Sequence, residues 1–308
     1  MSEPCSTRAY SLLLVFMLSS LSPMVSANSA DEPTNQPDIA EEFVPVFADI
    51  DPETCNIDPS KIGSLITSRT RAIMPVSLYG QPADMSEINK IAQENNLFVI
   101  EDAAQSFGSV YKDKMSCNLS EIGCTSFFPS KPLGCYGDGG AIFTNNEEIS
   151  ESAKAIRIHG QRERYIFSSI GVGGRMDTIQ SAVVLSKLKI FNQEVERRHL
   201  VGSRYNELFD QIGVKRVIQR PDRTSVFAQY TIFVEGRDKI ISDLKEKNIP
   251  SSVHYPLSLN EQPAYKKYCT NLTPQSQLVS RKVLSLPMGP YLTQSEQNRV
   301  VEALESII

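Results

Sequence analysis

Lys131 sits in the run Phe127-Phe128-Pro129-Ser130-Lys131-Pro132-Leu133-Gly134, where apolar neighbours and a following proline hold it in a loop. A lysine forms an imine only after losing its proton, and an enclosed site lowers its pKa from about 10.4 toward neutrality. Asp102 lies 29 residues earlier, after the apolar run 97–100 (LFVI) and Glu101, and Ser126 precedes the lysine by five. A carboxylate at a strand end can keep a pyridine nitrogen protonated, which makes the ring an electron sink, while hydroxyl and backbone donors hold a phosphate. Aspartate, serine and lysine in that order suit pyridoxal 5'-phosphate. Taken singly, they also suit three plainer roles: a helix N-cap, a strand serine and a surface loop lysine.

Such residues need elements to hold them. Residues 44–50 (VPVFADI) form a short apolar run closed by the turn signal Asp51-Pro52, and 71–78 (RAIMPVSL) is the next strand candidate. Asp84 with Glu87 reads as a capping box, and Met85, Ile88, Ile91 and Ala92 recur along one helical face. The run 97–100 then reads as a buried strand. Strand, helix, strand with short turns is the unit of a parallel sheet, whose ligands bind beyond the carboxyl ends of the strands, where Asp102 stands. Two more strands are expected near 122–128 and 141–144, with the glycine-rich stretch 134–140 as a tight turn between them. That stretch does not fit the dinucleotide fingerprint. A helical region begins near Asn146, and one long helix is expected over 177–209. Further on, a strand at 226–234, a helix at 238–247 and a strand at 251–255 suggest a compact β-α-β unit, and 295–308 a closing helix.

Composition narrows the classes. The 308 residues carry 41% hydrophobic and 22% charged side chains and a formal charge of −5, with no basic block, which argues against a nucleic-acid partner. Cys117, Cys124 and Cys135 fit no familiar zinc spacing, so no metal is expected and the six cysteines read as free thiols of a reducing compartment. Residues 11–22 are too short an apolar run to span a bilayer, but with Arg8 before and Val25-Ser26-Ala27 after they resemble a signal peptide. That feature alone motivates a different reading, a secreted or periplasmic binding protein. Residues 28–42 read as linker or disorder.

Longer runs go beyond spacing. Ile100-Glu101-Asp102-Ala103-Ala104-Gln105-Ser106, Ser126-Phe127-Phe128-Pro129-Ser130-Lys131-Pro132-Leu133-Gly134 and Gly137-Asp138-Gly139-Gly140-Ala141 resemble, in order and spacing, the DegT/StrS family of sugar aminotransferases. Arg157-Ile158-His159-Gly160, the stretch 171–180 (GVGGRMDTIQ), Val253-His254-Tyr255-Pro256 and Leu286-Pro287-Met288 extend the resemblance over roughly 44–308. It implies an α/β fold-type-I aminotransferase: a mostly parallel cofactor-binding large domain at 44–197, a smaller C-terminal α+β domain at 198–308, and a homodimer with shared active sites. It also implies that Lys131 holds pyridoxal 5'-phosphate as an imine, Asp102 pairs with the pyridine nitrogen, Gln105 with the ring hydroxyl and Ser126 with the phosphate. Lysine rather than histidine at 131 implies transamination rather than the family's deoxygenating branch.

Val253-His254-Tyr255-Pro256 followed by Leu259-Asn260-Glu261-Gln262-Pro263-Ala264 is similar to a narrower group within the family. Its members aminate UDP-2-acetamido-2-deoxy-3-oxo-glucuronate for the diaminouronic acids of bacterial surface polysaccharides. The pattern implies a UDP-sugar substrate near His254, Tyr255 and the partner subunit's Arg175, glutamate as amino donor, a cytoplasmic location and no membrane partner. An arginine fork suits a uronate carboxylate or a diphosphate. The plainer alternatives are an interface ion pair for Arg175 and a packed strand histidine for His254. Three positions depart from the pattern: Asn260 and Gly289 stand where relatives often carry histidine, and Gly173 replaces an asparagine that reaches toward the phosphate across the dimer. Residues 1–43 carry neither the Ser-Gly-Thr phosphate cup nor the aromatic cofactor-stacking strand that the family places ahead of VPVFADI. This implies a signal-like or mis-read segment on a truncated large domain, with disorder over 28–41 and a gap on the phosphate side of Lys131. A non-catalytic remnant of such an enzyme is the alternative reading.

Overall fold

The structure is a computed structural model that describes residues 44–269 and 271–308. The expectations for 1–43, and the phosphate-side gap that depends on them, lie outside the described residues. In chain order the first half contains β1 (Ala72–Ile73), β2 (Phe98–Asp102), the small hairpin of β3 (Val110–Tyr111) and β4 (Lys114–Met115), β5 (Ile122–Ser126) and β6 (Gly140–Phe143). One sheet joins β1, β2, β5 and β6 in that order. The first two pairings are parallel and β5–β6 is antiparallel, so this α/β sheet is mixed but mainly parallel.

Helix α1 (Met85–Glu94) carries the chain from β1 back to β2. Its expected apolar face is the one that packs: Met85, Ile88 and Ala92 are buried with Ile73 and Val99, and Ile91 is partly buried against them. The capping box does not form. Asp84 is the N-cap residue but makes no cap hydrogen bond, because its Oδ1 takes the guanidinium of Arg223 at 2.5 Å. The strand expected over 71–78 shrinks to two residues plus an isolated bridge from Val76 to Asp102. Pro75 has no N–H to give a ladder, although its carbonyl accepts from Asp102 N at 2.9 Å. The run 44–50 forms no strand beyond a bridge from Ile50 to Ile57. Asp49 instead turns its carboxylate to the N–H groups of Gln275 and Ser276, both at 2.9 Å.

Beyond the sheet come α2 (Glu147–Arg157), capped by the Asn146 side chain on Ile149 N, and the hairpin of β7 (Gln161–Glu163) and β8 (Ile166–Phe167). The single long helix expected over 177–209 is two: α3 (Thr178–Leu188) and α4 (Phe191–Gln211). The break at 189–190 lets Phe191 turn inward, where it stacks on Phe107 at 5.7 Å beside buried Phe127, Leu133 and Cys135.

The last third folds around β9 (Tyr230–Phe233), α5 (Arg237–Glu246), α6 (Pro274–Ser280), β10 (Val283–Leu286) and α7 (Gln294–Glu305). The expected β-α-β unit is corrected here. β9 pairs antiparallel with β10, and 251–255 contributes only an isolated bridge from Ser252 to Ser285. The His254 carbonyl is taken by a side chain, the Tyr79 phenol, rather than by a ladder. Tyr205 and Phe209 of α4 pack on Tyr230 and Ile232 of β9, Leu284 of β10 and Leu304 of α7, all buried. Among the described residues, no helix is long and apolar enough to cross a membrane.

Candidate active site

Asp102 closes β2 and is 8% exposed. Its Oδ1 accepts the Ala104 N–H at 3.0 Å. Burial raises the pKa of this carboxyl, and the Ala104 N–H and the positive charge of Lys131 pull it back. Lys131 responds in kind: burial lowers its pKa and the Asp102 charge partly offsets that. A lysine and an aspartate 29 residues apart in sequence are thus within each other's field.

The loop that carries Lys131 is held from both sides. Phe127 N donates to Gly139 O and Cys135 N to Phe127 O, both at 2.7 Å, and Lys131 N donates to Phe128 O at 2.9 Å. Gly134 has no room for a side chain, since a Cβ would lie 2.7 Å from the carbonyl oxygens of Phe128 and Pro129. From α3, Lys187 Nζ donates to Gly134 O at 2.6 Å and Gln180 Oε1 accepts from Tyr136 N at 2.8 Å. The tight turn expected over 134–140 is instead the second half of a longer connection, residues 127–139, between β5 and β6, and Gly140 already begins β6. Ser126 ends β5, the strand beside Asp102, and is buried; its Oγ accepts from Phe128 N at 3.2 Å and keeps its proton to donate.

Gln105, His254 and Tyr255 meet at this strand end although 150 residues separate Gln105 from Tyr255. Gln105 Oε1 accepts the Tyr79 N–H at 2.7 Å, and its Nε2 donates to the Tyr255 phenol oxygen at 3.2 Å. His254 Nδ1 lies 3.0 Å from Ser285 Oγ, and burial, then the Lys131 charge, lowers the imidazole pKa. Burial also raises the Tyr255 phenol; the Gln105 hydrogen bond opposes this and the Asp102 charge adds to it. At neutral pH these are a neutral imidazole and a protonated phenol. Arg175 stands apart. It is exposed in the segment ahead of α3 and makes no hydrogen bond or ion pair among the described residues.

Six of the seven residues singled out in the sequence therefore surround one strand end, and Arg175 does not join them within the chain. Sequence reasoning missed Tyr79 and Ser285. Neither has a motif signal, because each acts through a partner more than 25 residues away. The donor set fits pyridoxal 5'-phosphate: a buried carboxylate for a cationic ring nitrogen, an amine of lowered pKa beside it, a carboxamide and a free hydroxyl. Among the described residues no group of His, Cys, Asp and Glu is placed to hold a metal ion. The thiols of Cys55 and Cys124 are pushed up to about 12, burial being the main cause.

Comparison with known proteins agrees with this geometry. The profile described as the DegT/DnrJ/EryC1/StrS aminotransferase family matches residues 34–305, starting ahead of Val44. A Pseudomonas aeruginosa protein named UDP-2-acetamido-2-deoxy-3-oxo-D-glucuronate aminotransferase is 48% identical over 260 residues, covering 84% of this chain and 72% of its own. A DegT DnrJ EryC1 StrS aminotransferase from Brucella abortus superposes with a TM-score of 0.81 at 38% identity, over 85% of this chain and 73% of that one. S. venezuelae DesV, solved in complex with a ketimine intermediate, superposes at 0.82 and 33% identity, over 85% and 71%.

Proposed function

The chain belongs to the DegT/DnrJ/EryC1/StrS aminotransferase family, of fold type I and dependent on pyridoxal 5'-phosphate, and from that premise we propose that it aminates UDP-2-acetamido-2-deoxy-3-oxo-glucuronate with glutamate as donor. Transamination of a keto nucleotide-sugar follows from the family and its relatives. The narrower substrate, and a role in bacterial surface polysaccharide such as O-antigen, rest on the identity to the Pseudomonas protein and on Val253-His254-Tyr255-Pro256. The site is completed in a cytoplasmic homodimer, where the exposed Arg175 serves the partner's substrate. The division into a cofactor domain at 44–197 and a small domain at 198–308 falls within α4. It is supported by two cores that each keep to one side, one drawing on 201–304 and another on 62–119, while a smaller one with Cys55, Tyr79, Val279 and Val283 joins the two parts.

The observation that carries the proposal is the mutual field of Lys131 and Asp102 at the end of β2. Bound pyridoxal 5'-phosphate supplies an electron sink that stabilises a carbanion beside the amine. Asp102 would hold a proton on the ring nitrogen by its charge. Gln105 would orient the ring through its carboxamide, and Ser126 would give its O–H to the phosphate. Lys131 Nζ would be the amine that holds the cofactor, and as a neutral amine it would accept and return a proton on the substrate side. Because burial lowers the pKa of Nζ, the neutral amine needed for both tasks is reached at a lower pH than for a solvated lysine. The neutral His254 ring and the protonated Tyr255 phenol line the substrate side.

Adding pyridoxal phosphate to the purified protein and recording the spectrum tests this. An imine absorbance that disappears in Lys131→Ala, with glutamate-dependent amination of the UDP-keto-uronate, is the expected result. No imine at saturating cofactor would show a non-catalytic remnant, and amination of only other sugar nucleotides would remove the substrate assignment.

A further inference from the structure

Tyr79 is a buried tyrosine whose backbone turns through the left-handed region, at φ 57° and ψ 1°. A bulky residue stays in that region only when its surroundings over-determine it. Two bonds do so here. Its N–H donates to Gln105 Oε1 at 2.7 Å, and its phenol donates to the His254 carbonyl. Gly80 follows at φ 117°, so close to the 227–228 backbone that a Cβ would come within 2.6 Å of Phe227 N. The ring itself packs in a small core with Cys55, Val279 and Val283. The corner is thus locked at its backbone, at its ring and at its hydroxyl.

A carboxamide accepts at one end and donates at the other, and Tyr79 decides which way round Gln105 lies. With Oε1 committed to Tyr79 N–H, Nε2 faces Tyr255 and donates to the phenol oxygen at 3.2 Å. Tyr255 then has an oxygen that already accepts and a single proton that must be given elsewhere. Its side chain is half exposed, within the field of Asp102. Meanwhile the other end of Tyr79 holds the carbonyl of the preceding residue, His254, which fixes where that phenol stands.

We propose that Tyr79 is a positioning residue for amino transfer: by gripping Gln105 with its N–H and the His254 carbonyl with its hydroxyl, it makes Tyr255 a hydrogen-bond donor to the sugar substrate at Lys131. This rests on the aminotransferase function proposed above. Tyr79→Phe removes the hydroxyl and keeps the ring and the backbone N–H, so it separates the grip from the packing.

Two measurements decide. Hydrogen exchange on the purified protein without cofactor is expected to quicken at 253–257 in Tyr79→Phe while 279–286, which packs on the ring, stays as protected as before. Unchanged exchange at 253–257, or equal loosening of both stretches, overturns the grip. In the cofactor-loaded enzyme, Tyr79→Phe and Tyr255→Phe are each expected to lower kcat/KM about tenfold, with the imine spectrum retained and the double variant no worse than Tyr255→Phe alone. Additive losses overturn the action through Tyr255. If the parent protein forms no imine, the aminotransferase reading fails, and the exchange experiment still decides whether Tyr79 holds 253–257.

Discussion

Asp102 and Lys131 moderate each other: burial pushes the carboxyl up and the amine down, and the attraction between their charged forms draws both back. The carboxylate therefore holds a proton on the lysine that burial alone would release sooner. Asp102→Asn removes that hold, so the pH midpoint for imine formation with pyridoxal phosphate should move lower. Amplitude is expected to fall because the ring nitrogen loses its partner, but the midpoint is what reports the coupling. A midpoint that stays put or moves higher would show that the two charges do not act on one another.

A second buried carboxyl lies beside the first. Glu101 is 0% exposed; its Oε1 accepts the Ser116 hydroxyl at 2.8 Å and its Oε2 the Leu119 N–H at 3.2 Å. No cation faces it among the described residues, and burial outweighs these hydrogen bonds to raise its pKa above 4.5. An acid raised in the folded state contributes stability below its unfolded pKa, and that contribution is lost as pH rises through the folded value. Glu101→Gln cannot ionise. Its stability relative to the parent should therefore improve with pH, by about 1.4 kcal/mol for each unit separating folded and unfolded values. Urea unfolding at pH 5 and pH 8 checks this, and parallel changes in the two proteins would contradict it.

Gly202 sets helix propensity against packing. Alanine in mid-helix is favoured over glycine by about 1 kcal/mol. At this point in α4, however, a Cβ would lie 2.4 to 2.6 Å from three carbons of the Phe227 ring. Phe227 is itself buried at a positive φ of 43° and stacks on Tyr230, so it has little room to move. Overpacking costs about 1–3 kcal/mol and should win. Gly202→Ala is expected to lower the urea midpoint, and Phe227→Leu in the same chain to recover part of the loss. A stabilised Gly202→Ala would mean that the ring yields.

Arg223 joins the start of α1, at Asp84, to a loop 139 residues later. Its side chain is 3% exposed, bonds Asp84, Asp222 and the Pro82 carbonyl, and lies 4.6 Å over the Tyr111 ring. Arg223→Ala leaves Asp84 and Asp222, each about a third exposed, without their cation and the Pro82 carbonyl without its donor, which costs about 1–3 kcal/mol. Thermal unfolding should show the loss, with Arg223→Met, which keeps the apolar stem, losing less. Equal melting of parent and Arg223→Ala would reduce this ion cluster to surface decoration.

How much of this was legible beforehand divides by range. The α1 face and the strand that runs into Asp102 were readable from periodicity, because each is a local pattern repeated within a few residues. The motif runs carried the family, since their identities and order are written in the chain whatever the fold does with them.

Competition between distant partners was not readable. Asp84 and Glu87 spell a capping box, yet Arg223 takes the aspartate because a buried guanidinium has the greater need of a charge. Residues 251–255 have strand composition, yet β10 wins the edge of β9 and the His254 carbonyl goes to Tyr79. The run 177–209 has unbroken helical periodicity, yet the burial of Phe191 on Phe107 breaks it. Composition and motif order thus determined which chemistry the chain carries. Which of several able partners each polar group or ring meets was decided only when folding brought residues distant in the chain into contact, where burial makes an unpaired group too costly to leave.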